Sequence, residues 1–499
     1  MPKNIKIGFF AIGGIVVILA CIGYLYYPLA YNQGLYHYQG LVLKSGGIPY
    51  NDFIEKKGPM GLLFYGLAAI FFGSSPVAYR LFDLLVQASV AFLLYRIFKK
   101  RTSTLVSLAV PFIWLSHILV EGPGNTGDVT NLITLCLVLT YYLLTEYDRT
   151  KEWLAGVLMA AACWVKPTAV IMFLPVWYVI YMNHRDEGIQ QFIRSALKVL
   201  AGGVGVSVGF IAYLFISNSW QGFWEVVVLD PLLNYVDDRN RVGLRLIKRL
   251  GGNVVSDLAI RFLGAIGLVI AFKKHKSAQL ALLFALSIFL SIILEGKFFP
   301  YHFTPLWPFM AVGLYHLIEV TQEKFSWKPL PVAAITLLLL IIPLVPVGLK
   351  FQKAGFFAGS DAFQPEKLYK FKDFEALYIG RQPVISYLKQ EKAADQTIYA
   401  LGIDPNIYID LGTTTDCRMI RDAVMLTVDM QPVDPPPYLK AWEEELMSFL
   451  EVEKPDWLLF DNELPTGDFT PAYQNRIDAV LKSYGEGKVL GRYTLYRKL

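Results

Sequence analysis

The feature that most limits the fold of this chain is a series of long apolar runs in its first 350 residues. A helix needs about 20 mostly apolar residues to cross a bilayer, because its backbone must satisfy its own hydrogen bonds there. The sequence therefore predicts a polytopic α-helical membrane protein with about eleven transmembrane helices. The candidate spans lie near residues 7–27, 77–98, 103–120, 129–145, 153–166, 168–182, 197–217, 256–272, 277–294, 305–320 and 329–349.

The composition separates the chain into two parts. Of 499 residues, 55% are hydrophobic and 17% are charged, whereas an ordinary soluble domain has about 25% charged residues. Residues 1–350 contain 29 Lys+Arg and 18 Asp+Glu, a net charge of +11, and residues 351–499 contain 17 and 23, a net charge of −6. We predict a transmembrane module over residues 1–350 and a soluble domain over residues 351–499.

Lysine and arginine in the short loops predict the orientation, because cytoplasmic loops carry an excess of these residues. With an uncleaved, cytoplasmic N-terminus, every inner loop holds at least two cations, and an odd helix count places residues 351–499 outside the cytoplasm. The inner cations would be Lys3, Lys6, Arg96, Lys99, Lys100, Arg101, Arg149, Lys151, Arg185, Arg194, Lys198, Lys273, Lys274, Lys276, Lys324 and Lys328.

Cations on the predicted outer side are exceptions to that pattern. They lie in the long first outer loop (28–76), in the segment 237–249 and near residue 297. One interpretation is ordinary loop charge, and the other is a site for an anionic headgroup, since ammonium and guanidinium groups bind phosphate. The candidate phosphate ligands are Lys57, Arg239, Arg241, Arg245 and Lys297.

Two further segments have distinct patterns. In the first outer loop, residues 34–43 are amphipathic, and the apolar run 60–72 is short enough to lie in the membrane interface. In the seventh span, Ala201, Gly205 and Gly209 recur every fourth residue, which favours close helix packing over a nucleotide-binding loop.

The C-terminal part alternates helices and strands, which predicts an α/β domain with a small open sheet. The predicted helices cover 383–392, 438–451 and 471–483, and the strands cover 397–401, 456–460 and 492–496. We find no nucleophile–base set, phosphate loop or Cys/His spacing for zinc, so no motif requires a metal or other cofactor.

Four passages together resemble the bacterial GT-C glycosyltransferases, a superfamily that includes protein O-mannosyltransferases and lipid A aminoarabinose transferases. The first joins Tyr31-Asn-Gln-Gly-Leu-Tyr to Gly47-Ile-Pro-Tyr-Asn-Asp-Phe-Ile-Glu-Lys-Lys-Gly-Pro59. The second is Gly124-Asn-Thr-Gly-Asp128. The third is Lys297-Phe-Phe-Pro-Tyr-His302-Phe-Thr-Pro-Leu-Trp-Pro308. The fourth, Thr397-Ile-Tyr-Ala-Leu-Gly with Ile407-Tyr-Ile-Asp-Leu-Gly412, is similar to the family's extracytoplasmic domain.

The resemblance implies a function at the bacterial cytoplasmic membrane. It implies inverting transfer of a sugar from a polyprenyl-phosphate carrier to an envelope glycan, lipid or protein acceptor on the outer face, without nucleic acid. Lys57 matches the family's carrier-lysine position, and His302 belongs to the passage expected to help bind the donor. A carboxylate is needed to take the acceptor's proton.

The chain departs from the family pattern at Asn32, where the resemblance places an acid. An amide cannot act as a base, so the carboxylate would come from Asp128, Asp52, Glu55 or Glu121, and we place Asp128 first and Asp52 second. Structural roles also remain open, because Asp128 fits a helix N-cap and Asp52 fits a turn. Two rival functions follow: a catalytically inactive homologue or scaffold, and a transporter of lipid-linked sugars.

Overall fold

A computed structural model shows how the apolar runs fold. The structure describes residues 14, 17, 18, 21–100, 107, 110–115, 126–235, 258–296, 298–325, 352, 353, 372–393, 395–402, 404–420, 437–464 and 471–499. All structural statements below concern these residues.

Helices dominate the described part of the first 350 residues. Three of them are long and apolar enough to cross a membrane, namely Pro76–Lys99, Ile189–Ile216 and Lys276–Glu295. The helices of this part are α1 (Tyr31–Lys44), α2 (Pro59–Phe72), α3 (Pro76–Lys99), α4 (Thr130–Thr145), α5 (Glu152–Val165), α6 (Leu174–His184), α7 (Ile189–Ile216), α8 (Trp220–Phe223), α9 (Leu258–Ala271), α10 (Lys276–Glu295) and α11 (Trp307–Phe325).

Most of the predicted spans contain an observed helix at nearly the same bounds. The helix count of eleven is not tested, because residues 329–349 and most of 7–27 and 103–120 lie outside the described residues. The candidate spans 153–166 and 168–182 are separate helices, as their bounds predicted: α5 ends at Val165, and Pro167–Phe173 forms a 3₁₀ segment before α6 begins. Proline lacks the N–H that a continuing α-helix needs, which explains the break.

Among the described residues, α7 packs closely through a glycine other than the predicted ones. No described atom lies within 4 Å of a Cβ added at Gly205 or Gly209, so these two glycines make no close contact with the part of the chain that the structure describes. The close contact between α7 and α5 involves Gly202 and Gly156 instead. A Cβ on Gly202 would lie 2.0 Å from the carbonyl oxygen of Trp153, and one on Gly156 would lie 1.9 Å from that of Val199.

The C-terminal domain has the predicted α/β architecture. Its four-stranded sheet has the order β1-β2-β4-β3, with β1 and β2 parallel and the remaining pairs antiparallel. The described elements are α12 (Lys372–Glu391), β1 (Ile398–Leu401), α13 (Asn406–Leu411), α14 (Pro437–Ser448), β2 (Trp457–Asp461), α15 (Pro471–Lys482), β3 (Lys488–Leu490) and β4 (Tyr493–Arg497).

The first outer loop packs directly against this domain. The Thr415 N–H donates to the Tyr38 hydroxyl at 3.2 Å, and the Ile54 N–H donates to the Arg418 carbonyl at 3.1 Å. The rings of Tyr38 and Tyr408 have centroids 5.1 Å apart. The loop and the sheet domain therefore contact each other directly, and the side of the membrane on which they lie stays a prediction.

Candidate functional site

A turn ahead of α4 positions Asp128, our first candidate base. Gly127 adopts a φ of 77°, a left-handed conformation that glycine tolerates best. The Tyr79 hydroxyl donates to the Gly127 carbonyl at 2.5 Å, and the Arg80 Nη1 donates to the Thr126 carbonyl at 3.0 Å. The helix α3 thus fixes the backbone on which the Asp128 carboxylate stands.

Three donors surround the Asp128 carboxylate, which is 1% exposed. The Asn32 Nδ2 donates to its Oδ2 at 2.9 Å, and the Tyr36 hydroxyl donates to the same oxygen at 3.2 Å. The Thr130 N–H donates to its Oδ1 at 3.2 Å at the start of α4. The N-cap of α4 is Val129, which makes no side-chain cap hydrogen bond, so the predicted N-cap role of Asp128 is wrong and Asp128 lies one residue before the cap. Its carboxylate lies beside Asn32, where the resemblance places an acid.

Glu55 lies in the same region. Its side chain is 2% exposed. Burial raises the pKa of the Tyr36 hydroxyl, and the charges of Asp128 and Glu55 raise it further. Both carboxylates therefore act on one tyrosine of α1, and Tyr36 stays protonated as a hydrogen-bond donor.

Lys57 is carried by a segment that docks on the broken helix. The Gly58 N–H donates to the Val165 carbonyl at 3.0 Å, and the Tyr50 hydroxyl donates to the Lys57 carbonyl at 2.7 Å. A Cβ at Gly58 would lie 1.9 Å from the Trp164 carbonyl oxygen, so only glycine permits this approach. Lys57 is half-buried and interacts electrostatically with Lys166.

A third buried carboxylate, Glu295, contacts polar side chains of the broken helix and of the 3₁₀ segment that contains His302. It pairs with the Lys166 ammonium and accepts a 2.6 Å hydrogen bond from the Thr168 hydroxyl. The His302 Nδ1 lies 3.2 Å from its Oε2. Gly296, in the left-handed conformation, ends α10 directly after Glu295. A cavity of 20 Å³ lies between Lys166, Glu295, His302 and Thr130, whose N–H donates to Asp128.

The structure thus brings together Asp128, Glu55, Lys57 and His302 of the predicted site, along with Asn32. Asp52 does not join them: it is exposed, and its Oδ2 accepts a hydrogen bond from the Ile48 N–H at 2.6 Å within its own turn. The remaining candidates lie outside the described residues, so they stay predictions; these are Glu121, Arg239, Arg241, Arg245 and Lys297.

Sequence reasoning missed a buried polar network next to Asp128. Asp83 is fully buried and accepts hydrogen bonds from the Tyr65 hydroxyl and the Asn131 amide, both at 2.9 Å. Tyr65 also donates to the Asp128 carbonyl at 3.2 Å. The available signal was the pair Arg80 and Asp83 within an otherwise apolar span, since charges there are rare and mark functional or packing sites.

Part of the chain matches a known protein family. A family model described as dolichyl-phosphate-mannose-protein mannosyltransferase matches residues 56–216. No curated protein matches the sequence.

Two crystal structures of ArnT from Cupriavidus metallidurans are similar over the whole chain. The complex bound to undecaprenyl phosphate has 12% identity and a TM-score of 0.62, covering 100% of this chain and 99% of that one. The apo structure has 11% identity and a TM-score of 0.63, covering 100% and 98%. At this identity the likeness shows the fold. The resemblance to the GT-C glycosyltransferases predicted from the four passages is confirmed, and the chain has the fold of ArnT.

Proposed function

We propose that the protein transfers a sugar from a polyprenyl-phosphate carrier to an envelope acceptor on the outer face of the bacterial cytoplasmic membrane, with inversion. The observation that carries this proposal is the 2.9 Å hydrogen bond between the Asn32 amide and the Asp128 carboxylate. The chain lacks an acid at position 32, yet it holds a carboxylate within hydrogen-bonding distance of that position.

The reaction needs a base and a partner for the departing phosphate. The Asp128 carboxylate would accept the proton of the acceptor hydroxyl, whose oxygen attacks the anomeric carbon from the face opposite the phosphate. The carbon–oxygen bond to the carrier phosphate breaks, and the phosphate leaves with its electron pair. Lys57 and Lys166 are the described cations placed to stabilise that charge, with His302 beside them.

Several observations support the donor class and the side of the membrane. The ArnT structure of the same fold binds undecaprenyl phosphate, and the matching family model names a dolichyl-phosphate sugar. Both are lipid phosphates that carry a long polyprenyl-type chain. The first outer loop and the C-terminal domain contact each other directly, which agrees with the common outer placement inferred from the loop cations.

Replacement of Asp128 by asparagine tests this assignment. The variant Asp128→Asn keeps the size of the side chain and removes its base, so we expect transfer to fall by about 10²–10⁴-fold with carrier binding near normal. The measurement is release of free polyprenyl phosphate and labelled acceptor by purified protein in detergent. The control is Asp52→Asn, which replaces an exposed carboxylate of the first loop (28–76) and which we expect to retain activity.

Glu55→Gln completes the set, because Glu55 is the other buried carboxylate near Tyr36. Full activity in both Asp128→Asn and Glu55→Gln would show that neither carboxylate is the base.

A second candidate function follows from Asn32 itself. A GT-C homologue that has lost its acid could bind a lipid-linked sugar and serve as a scaffold without turnover. In that case the wild-type protein binds the carrier but releases no free polyprenyl phosphate with any acceptor, and Asn32→Asp remains inactive as well. Movement of the intact carrier across liposomes would instead identify a transporter.

A further inference from the structure

A second polar cluster lies at the opposite end of α10 from Glu295. The helix has 20 residues, which corresponds to about 30 Å at 1.5 Å per residue. At its start, His275 precedes the first turn and faces His316 and Glu319 of α11. One potential ligand atom from each of the three residues lies within 4.8 Å of the other two. This cluster is independent of the proposed transfer site.

The three side chains converge on one point. The His316 Nδ1 lies 3.0 Å from the Glu319 Oε2, and the His275 Nε2 lies 3.6 Å from the same oxygen. The two imidazole rings have centroids 4.8 Å apart. The His275 Nε2 is buried and makes no hydrogen bond among the described residues, so this nitrogen is available to a ligand.

Hydrogen bonds to neighbouring hydroxyl groups orient two of the three side chains, His316 and Glu319. The Ser277 hydroxyl lies 3.0 Å from the His316 Nε2, which directs the other ring nitrogen, Nδ1, towards Glu319. The Tyr315 hydroxyl donates to the Glu319 Oε1 at 3.0 Å and leaves Oε2 to face the histidines. Metal-binding histidines and carboxylates are usually oriented by outer hydrogen bonds of this kind.

A pocket of 720 Å³ opens beside the cluster. All three residues line it, and so do Lys274, Lys276 and Arg185. A metal held by the three side chains would therefore have a free coordination position facing an accessible, cation-lined space. Such a position suits water or an anion.

We propose that His275, His316 and Glu319 form a binding site for a zinc-like divalent transition metal with one open position. Two imidazoles and one carboxylate suit zinc, whereas magnesium and calcium prefer oxygen ligands alone. Zinc bonds of about 2.0–2.2 Å require each ligand atom to move inward by less than about 1 Å. Rotation of the half-buried His275 and Glu319 side chains provides that movement.

Metal binding to the purified full-length protein in detergent tests this site. After removal of bound metals with a chelator, we expect one Zn²⁺ per chain by titration calorimetry and by elemental analysis after gel filtration. Cobalt offers a second readout, because tetrahedral Co²⁺ with nitrogen ligands absorbs visible light. His275→Ala, His316→Ala and Glu319→Gln should each weaken zinc binding by at least tenfold and abolish the cobalt spectrum.

The matched control is Glu323→Gln, which removes a carboxylate one turn further along α11. Glu323 is half exposed and pairs with Lys274 at 3.4 Å, so this variant should bind zinc as the wild type does. Ser277→Ala should weaken binding by about tenfold while leaving the three ligands in place. Elution on gel filtration at the wild-type volume shows that each variant remains folded.

The proposal is overturned if the wild-type protein binds no stoichiometric zinc. It is also overturned if the three ligand variants bind zinc as tightly as Glu323→Gln does, since binding would then occur elsewhere on the chain. A cluster that serves only to hold α10 against α11 would show the first of these results.

Discussion

The site around Asp128 and the ionic core of the C-terminal domain both bury carboxylates, but they satisfy them differently. In the C-terminal domain, Arg381 is 2% exposed, and its Nη1 and Nε donate to Asp404 and Asp410 at 3.1 and 2.7 Å. Although burial works against its charge, these carboxylates raise the pKa of Arg381. The Asp128 carboxylate instead accepts hydrogen bonds from an amide, a phenol and a backbone N–H.

This difference separates the structural role of Asp404 and Asp410 from the chemical role that we propose for Asp128. A guanidinium beside a carboxylate makes protonation of that carboxylate costly, whereas neutral donors orient it and leave it able to accept a proton. The ion pairs differ as well. Arg381 and Arg492 pair with carboxylates of their own domain, whereas Lys166 and its partner Glu295 come from separate segments that meet beside a cavity.

The largest expected effect is on the ionic core. Arg381→Ala leaves the buried Asp404 and the partly exposed Asp410 without their shared cation, which should destabilise the C-terminal domain by about 3–5 kcal/mol. Proteolysis of full-length protein at increasing denaturant measures this change. Arg476→Ala is the control, because its pairs with Glu444 and Glu451 lie at the surface and should contribute at most about 1 kcal/mol. Equal stability of the two variants would contradict a structural role for the Arg381 pairs.

Loss of Lys57 should weaken carrier binding without unfolding the protein. A charge-assisted hydrogen bond contributes about 1.5–3 kcal/mol, so Lys57→Ala should raise the Kd for polyprenyl phosphate by about 10- to 100-fold. Lys44→Ala removes an exposed cation from the same loop and should leave the Kd unchanged. Arg241→Ala is predicted from the sequence to weaken binding as well. An unchanged Kd in both Lys57→Ala and Arg241→Ala would identify these cations as ordinary loop charge.

A carboxylate at position 32 should change the pH dependence of transfer. Asn32→Asp would place two carboxylates within hydrogen-bonding distance of each other, and one of them would then hold a proton at neutral pH. We expect the acid limb of kcat/KM to move to higher pH by about one unit or more, while Asn32→Ala, which adds no charge, leaves the limb in place. An unmoved limb in Asn32→Asp would mean that Asp128 is not the base.

The smallest expected effect concerns a surface contact of the sheet. The Thr397 N–H donates to Asp456 at 2.7 Å and lowers the pKa of that carboxyl. Because the folded-state pKa lies below the unfolded one, the resulting stability is present above about pH 4 and is lost as the pH falls. Asp456→Asn should therefore cost less than about 1 kcal/mol near neutral pH and nothing in acid. A pH-independent difference in the free energy of unfolding would contradict this origin.

Local patterns were sufficient to predict the architecture. The apolar runs located helices such as α3, α4 and α10 to within a few residues, because a membrane span requires a continuous apolar segment. Alternating patterns located β1, β2 and β4 in the C-terminal domain. The glycine stripe of α7 was misassigned, since the face that packs on α5 is decided by the partner helix.

The sequence by itself determined the class of fold, the resemblance to the GT-C enzymes and the absence of an acid at position 32. Only the tertiary structure decided that Asn32 contacts Asp128, 96 positions away. It also decided that Gly58 packs against the carbonyl of Trp164 and so places Lys57 beside the broken helix, and that His275 lies next to His316 and Glu319. The physical reason is that helix and strand patterns depend on neighbours a few residues apart. Contacts between distant side chains depend on how whole helices pack, which no local spacing encodes.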